Sequence, residues 1–423
     1  MDSPYKPGFG ARPAVLVGRD RQLAKASAAL TRVANSGSPA PSALVLTGAR
    51  GLGKTVTLDV ISEQARDRGF LTAGVALDSV SDNVQLLAAR VAESLKDLEH
   101  PGLRAAWERV RDRLAALSIE IDAGIVKVSS PPARERAATQ SASRREALAA
   151  LLTAGAHLAS AHEHVGLAIF VDELQEAPQA DLVVIANAIQ DALMTPDAPF
   201  AVFAAGLPQT PDLVMAAASF TERFDFRTLE RLDPEAAERA LVEPALALDV
   251  HWDAPAAQLV LSAAAGSPYL IQRLGDETWT LATPEAGETL TEPAARKAIA
   301  DVRESLDNGM FRGRWAKATR AERHLMVAIA QVVDVDGVAQ TRGITAVTGR
   351  TTPQLSPARQ SLIDKGLVEP VGHGRLRFTI PGFAEFVRHQ AGVPWYGPSA
   401  GAPAGELPGA MRPALPPGED PGA

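Results

Sequence analysis

The sequence predicts an α/β protein built on a doubly wound parallel sheet, followed by a helical segment and a smaller C-terminal domain. Three observations carry that prediction. The first is Gly48-Ala49-Arg50-Gly51-Leu52-Gly53-Lys54-Thr55, which follows the apolar run Ala43-Leu44-Val45-Leu46 and precedes the helix-like Val56-Thr57-Leu58-Asp59-Val60-Ile61. The second is Gly166-Leu167-Ala168-Ile169-Phe170-Val171-Asp172-Glu173, a continuous apolar run of buried-strand length that ends in two carboxylates. The third is the alternation of strand-like and helix-like stretches as far as about residue 228, where the strands stop.

The first stretch reads as a phosphate-binding loop in its expected context. A strand delivers the loop, glycines let backbone N–H groups close around an anion, and the following helix points the positive end of its dipole at the same place. Residues Gly48 to Val56 are therefore the expected nucleotide contacts: Lys54 reaches the outer phosphates and Thr55 holds Mg²⁺. Asp172, at the end of the second stretch, is placed to accept the water shell of the same ion. Glu173 is placed to polarise the water that attacks the γ-phosphate. ATP and Mg²⁺ are the expected ligands.

Composition narrows the alternatives. A net charge of -8 excludes a protein that coats nucleic acid or membrane with its whole surface, while leaving room for one basic domain. The absence of cysteine excludes disulfides, thiolate zinc sites and cysteine nucleophiles together. Pro and Gly interrupt Met1 to Gly10 where a signal peptide needs an apolar core. No apolar run approaches the ~18 residues of a membrane span, so a cytoplasmic protein without membrane contact is expected. His157, His162 and His164 cluster without ligand spacing and read as solvated helix-end histidines. No nucleophile-elbow or metalloprotease pattern is present, which leaves phosphoryl transfer to water as the available chemistry.

Residues 1–14 are expected to be disordered and 15–228 to form the nucleotide-binding core. Order begins at Val15-Leu16-Val17-Gly18-Arg19-Asp20, followed by an amphipathic stretch from Leu23 to Val33. Phe70 to Leu77 reads as a second strand, and Leu87, Val91 and Leu95 mark a helix face. Ser118-Ile119-Glu120-Ile121 and Ile125-Val126-Lys127-Val128 flank Asp122-Ala123-Gly124, a hairpin signal. With the polar, mobile-looking Pro131 to Arg144 it is read as an insertion at about 115–144; two ordinary core strands are the alternative. A helix from Arg145 to Ser160, another from Asp181 to Leu193 and a buried strand from Phe200 to Gly206 complete the core.

Residues 229–310 read as a helical domain. Asp233-Pro234, Asp253 with Pro255, Ser267-Pro268 and Thr291-Glu292-Pro293 each resemble a capped helix start with an early proline. In 311–390, three helical stretches end in a hairpin, Leu367 to Val371 and Arg375 to Ile380 around Gly372-His373-Gly374, which is the winged-helix pattern. Residues 391–423 form a Pro/Gly/Ala tail too poor in apolar surface to fold.

Together, Val17-Gly18-Arg19-Asp20, the phosphate loop, Asp172-Glu173, the helical segment and the winged-helix pattern resemble the AAA+ ATPases of the origin-recognition and replication-licensing class. They are similar also to the prokaryotic relatives of that class that grade into STAND-type signalling ATPases. The resemblance spans roughly residues 15 to 390. It implies that Leu16 and Val17 belong to the adenine pocket and that Gly266-Ser267-Pro268 closes a helical lid over the nucleotide, with Pro268 in contact. It implies a polar sensor after the Phe200 strand, where Gln209 or Thr210 would have to substitute for the apolar Ala204-Ala205-Gly206. A second sensor falls at Tyr269 or, one turn later, Arg273. Arg223 sits where the family carries an arginine finger that reaches a neighbouring subunit, which implies an ATP-dependent homo-oligomer; Arg227 and Arg231 lie close enough to share the assignment.

The expected function is a slow ATP-hydrolysing switch that couples nucleotide state to DNA binding or assembly. Residues 319–389 hold nine Lys and Arg against six acids, a reversal of the chain's overall sign that suits a duplex-DNA contact. Gln354, Ser356, Arg359 and Gln360 are the side chains expected to reach the groove, with Arg375 and His373 on the wing. The alternative is a signalling or defence scaffold whose winged helix contacts protein.

Overall fold

Uninterrupted apolar runs in the central strands set the architecture, because a strand apolar on both faces must be covered on both. The computed structural model describes residues 1–8, 10–98, 104–117, 119–122, 125–128 and 138–397. They divide into two compact units: one of Arg19–Gly48 and Lys54–Leu229, the other of Met1–Gly18, Ala49–Gly53 and the residues from Glu230 on.

In the first unit α1 (Asp20–Ser36) ends at Gly37, whose left-handed φ of 64° lets its N–H bond to Val33 O. There follow β1 (Leu44–Thr47), α2 (Lys54–Asp67), β2 (Leu71–Ala76), α3 (Asn83–Leu95) and α4 (Arg104–Ala116). A hairpin of β3 (Ile119–Asp122) and β4 (Ile125–Val128) precedes α5 (Ala138–Ala161), β5 (Leu167–Asp172), α6 (Gln179–Leu193), β6 (Phe200–Gly206), α7 (Thr210–Ala217) and β7 (Asp225–Thr228). The sheet order is β2-β5-β6-β1-β7, and every pairing is parallel. All residues of β1, β5 and β6 are buried, and Phe170 stacks on Phe203 across β5 and β6 at 5.3 Å between ring centres. Because β6 separates β1 from β5, the phosphate loop and the two carboxylates emerge on either side of its C-terminal end, where an open α/β sheet binds its ligands.

The hairpin forms a sheet of its own, with Ile119 opposite Val128 and Asp122 opposite Ile125. Of the stretch expected to be mobile, residues 131–137 lie outside the described residues, but the rest does not behave as expected. The helix begins at Ala138 rather than Arg145, and Arg144 pairs with Asp82 and, at 3.8 Å, with Asp181. Two carboxylates from different elements hold a side chain that composition alone assigns to a loop.

The second unit opens with α8 (Pro234–Leu246), then β8 (His251–Trp252), α9 (Ala254–Ala264), α10 (Pro268–Ala282), β9 (Thr289–Leu290) and α11 (Glu292–Leu306). Three of the four expected caps are made by the residues named. Asp233 accepts from Ala236 N at 2.8 Å, Asp253 from Ala256 N at 2.6 Å and Ser267 from Leu270 N at 3.5 Å. Thr291 makes no such bond; the other oxygen of Asp253 accepts from Glu292 N at 3.2 Å instead. Strands do not stop entirely at Leu229, since β8 and β9 pair in parallel over two residues. A π-turn over Asp307–Phe311 carries the last helix of this segment on into α12 (Arg312–Ala316).

Among the described residues of 1–14, the expected disorder is not what the structure shows. Tyr5 is 2% exposed and packs edge-on against Trp252 and Trp279. Its hydroxyl donates to Leu241 O and accepts from Trp252 Nε1, and Trp279 Nε1 donates to Met1 O at 3.1 Å. One buried aromatic contributes on the order of 2 kcal/mol, enough to order a segment that composition marks as loose.

The C-terminal part of this unit runs α13 (Arg320–Val332), β10 (Val338–Gln340), α14 (Thr341–Thr348), α15 (Thr352–Asp364), β11 (Val368–Pro370), β12 (Arg375–Phe378) and α16 (Phe383–Ala391). The hairpin is part of a three-stranded antiparallel sheet, β10-β12-β11, rather than two strands alone. Phe311, Phe378, Phe383 and Phe386 pack together in the core of this part. Chain beyond residue 390 continues to make contacts: Trp395 Nε1 donates to Val333 O and Tyr396 N to Gln331 O, each at 2.8 Å. Residues 398–423, the rest of the expected tail, lie outside the described residues.

Candidate nucleotide site

Gly51 and Gly53 have φ of 83° and 82°, the left-handed conformation in which a side chain is strained, and this turn brings the chain from β1 into α2. Lys54 stands at the first position of α2 and is 7% exposed; its Nζ donates to Gly48 O at 2.9 Å. An ammonium held at the start of a helix, just after a glycine turn, is in the position that suits a phosphate. Thr55 Oγ1 donates to Asp172 Oδ2 at 2.6 Å, and Asp172 is 9% exposed at the end of β5. A hydroxyl and a carboxylate converging in this way are the oxygen donors that a hydrated Mg²⁺ takes, so these residues fit the ion. Burial first, and then the negative charge of Asp172, raise the pKa of Asp59 on α2.

Glu173 adopts φ 54°, ψ 41°, a left-handed conformation that costs a non-glycine residue about 1 kcal/mol and is found at functional sites. Its N–H bonds to Asp172 Oδ1 at 2.8 Å. The short turn Leu174–Glu176 then brings Gln175 back, where Nε2 donates to Glu173 Oε2 and Oε1 accepts from Leu207 N at 2.9 Å. Sequence reasoning misses Gln175, because one amide two residues beyond a strand end carries no periodic or motif signal. Of the substitute sensors, Gln209 and Thr210 are both buried just after β6, and Thr210 Oγ1 has no hydrogen-bond partner among the described residues. Val56 is half-buried on the first turn of α2.

The tip of the loop, Ala49–Gly53, belongs to the second unit. There Tyr269 N donates to Gly51 O at 3.3 Å, so the first turn of α10, with Pro268 at its start, meets the loop tip. Ala49 and Leu52 are buried and Arg50 is exposed. Val17 is buried in the core of this unit beside Leu232 and Ala236, with Leu16 half-buried next to it. Arg273 is committed to its own helix, 4.0 Å from Asp276 and 3.4 Å from Glu277.

The three candidate fingers separate. Arg231 donates to Phe378 O and Thr379 O at 3.2 and 3.3 Å and lies 3.9 Å from Glu369. Burial, with Arg377 nearby, pushes its pKa down to about 10 against the pull of Glu369. Arg227 pairs with Asp225 in β7 at 2.6 Å. Arg223 is exposed at the end of the turn Ser219–Arg223.

Residues 15–203 match the family model described as the AAA ATPase domain, and residues 308–387 match a domain of unknown function, DUF8462. No curated protein matches the chain. Among solved structures, the ORC2 protein of Aeropyrum pernix, in its ADPNP–ADP complexes, is 14% identical with a TM-score of 0.55, over 90% of this chain and 96% of that one. The Walker-type ATPase PABY2304 of Pyrococcus abyssi is 13% identical with a TM-score of 0.52, over 89% of this chain and 97% of that one. At these identities the likeness is one of fold. The chain therefore has the AAA+ P-loop fold, and it is residues 15–203 that match the AAA ATPase domain model.

Proposed function

We propose that this protein is an ATP-hydrolysing switch whose nucleotide state controls a C-terminal winged helix that contacts duplex DNA. The observation that carries the ATPase reading is the 2.6 Å bond from Thr55 to Asp172 beside buried Lys54 and left-handed Glu173. Lys54 holds the outer phosphates, the loop backbone from Gly48 to Thr55 holds the inner ones, and Thr55 and Asp172 hold the metal. When bound, Mg²⁺ supplies positive charge to the β- and γ-phosphate oxygens. Glu173 orients and polarises the attacking water. Arg223 completes the site of a neighbouring copy in an ATP-dependent assembly, and Leu16, Val17 and Pro268 border the base. A cytoplasmic setting is part of the same reading. Among the described residues no helix is long and apolar enough to cross a membrane.

The experiment is a comparison of ATP binding and turnover in Glu173→Gln. Nucleotide binding is expected to persist and steady-state turnover to fall by about a hundredfold or more. Undiminished turnover sinks the hydrolytic assignment.

A second reading, a signalling scaffold whose C-terminal domain docks on protein, is favoured by the internal use of its cations. Lys365 bonds both oxygens of Glu322, Arg377 bonds Glu369, Arg388 donates to Ala330 O and Arg323 to Trp315 O. ATP turnover measured with and without duplex DNA separates the two readings.

A further inference from the structure

We propose that Gln175 is a positioning residue for Glu173 that couples the water-polarising carboxylate to the end of β6; this rests on the hydrolytic reading above. The backbone N–H of Leu207 can only donate, and Gln175 Oε1 accepts from it at 2.9 Å. That bond fixes which way the amide faces, so Nε2 is directed at the carboxylate oxygen Oε2 of Glu173 and, at 3.3 Å, at Oε1 of Glu176. The turn is closed beneath it by Glu176 N to Glu173 O at 2.8 Å. One carboxylate oxygen of Glu173 is thereby held.

The other end of the amide is equally constrained. A Cβ on Gly206 would lie 2.2 Å from Thr210 Oγ1 and 3.0 Å from Gln175 Oε1, so a side chain there would displace Thr210 and crowd the amide. The segment after β6, with buried Gln209 and Thr210, is thus joined to Glu173 through the Gln175 side chain. A shift of that segment moves the carboxylate. Since a carboxylate assisting hydrolysis must be held to about 0.5 Å and 10–20°, loss of the amide should lower turnover without weakening nucleotide binding.

The test uses the full chain, steady-state ATP turnover and binding of a fluorescent ATP analogue. Gln175→Met removes both hydrogen bonds at similar volume. It should lower kcat by roughly tenfold or more with KM and analogue affinity within about twofold of the parent. In a Glu173→Gln background it should lower the residual single-turnover rate no further, because a residue acting through Glu173 has nothing left to act on. A merely structural role would instead reduce analogue binding and add its effect in both backgrounds. Gln175→Glu, which keeps an acceptor for Leu207 N and loses the donor to Glu173, should show the same loss of kcat, and it decides the matter if the methionine variant does not fold. Parental kcat in either folded variant, while Glu173→Gln is inactive, overturns the positioning role. Parental turnover in Glu173→Gln itself shows that the hydrolytic reading has failed, and the positioning role falls with it.

Discussion

Thr55 Oγ1 and Asp172 Oδ2 stand 2.6 Å apart, a hydroxyl on the first turn of α2 donating to a carboxylate at the end of β5. The contact joins two stretches that lie 117 positions apart in the chain, and it has a thermodynamic consequence. ATP with Mg²⁺, bound by the native state alone, should raise stability by roughly 2.7 kcal/mol at a hundredfold excess over its dissociation constant. Lys54→Ala should abolish the rise in melting temperature. Thr55→Ala should remove the part that depends on Mg²⁺ and leave the part produced by ATP with chelator. A wild-type melting curve indifferent to ATP would show that the loop does not bind nucleotide.

Arg223 is the exposed member of the three neighbouring arginines, whereas Arg231 is tied to backbone carbonyls and Arg227 to Asp225. A guanidinium assists phosphoryl transfer when it meets charge developing on the γ-phosphate, and an exposed one can meet it on a neighbouring copy. Arg223→Ala should therefore bind ATP normally and turn it over slowly. Mixing it with Lys54→Ala protein should restore part of the activity, since each variant supplies what the other lacks. No restoration at any ratio, together with a monomer in the ultracentrifuge under ATP, rules out action in trans.

Glu322 supplies a pH-dependent contribution to the C-terminal domain. Its burial raises the pKa, but hydrogen bonds from Lys365, Ser361 and the Thr319 N–H, with the charge of Lys365, overcome that and hold it at about 2 against 4.5 for the free side chain. A depressed folded pKa contributes stability that is present in full above the unfolded value and lost as pH falls through the folded one. Linkage sets an upper bound of about 3 kcal/mol, which solvent screening at the part-exposed Lys365 reduces. Urea unfolding followed at Trp315 should show Glu322→Gln below wild type at pH 7, with the gap closing between about pH 4.5 and 2. A gap that stays constant over that range would mean that the ion pair is not its source.

The residues that sequence pattern reveals are those whose role is local. The phosphate loop, the Asp172-Glu173 strand end and three of the four helix caps after Leu229 each occupy one short stretch with a physical signature of its own. What escapes depends on partners distant in sequence. Tyr5 is ordered by Trp252 and Trp279, Arg144 by Asp82 and Asp181, and Gln175 by Leu207. β10 escapes for a different reason: three residues are too few to show alternation, and its pairing with β12 creates the strand.

DNA binding by the proposed winged helix should be weak and little dependent on base sequence. On α15 the polar groups expected to read bases serve the helix itself: Gln354 Oε1 accepts from Thr351 N, Ser356 Oγ donates to Thr352 O and Gln360 Nε2 to Asp364. That leaves phosphate contact as the main term, from Arg320, Arg342, Arg350 and Arg375, which are exposed, and from half-buried Arg359. Each neutralised phosphate contributes a slope of roughly -0.9 to the dependence of log K on log salt. Replacing Arg359 and Arg375 together by alanine should therefore flatten the slope by about two, with ATP turnover unchanged. Fluorescence anisotropy of a labelled duplex across a salt series measures it. Binding that ignores salt, or no binding at low salt in either nucleotide state, would transfer the assignment to the protein-docking scaffold, whose internally paired Arg323, Lys365, Arg377 and Arg388 already point that way.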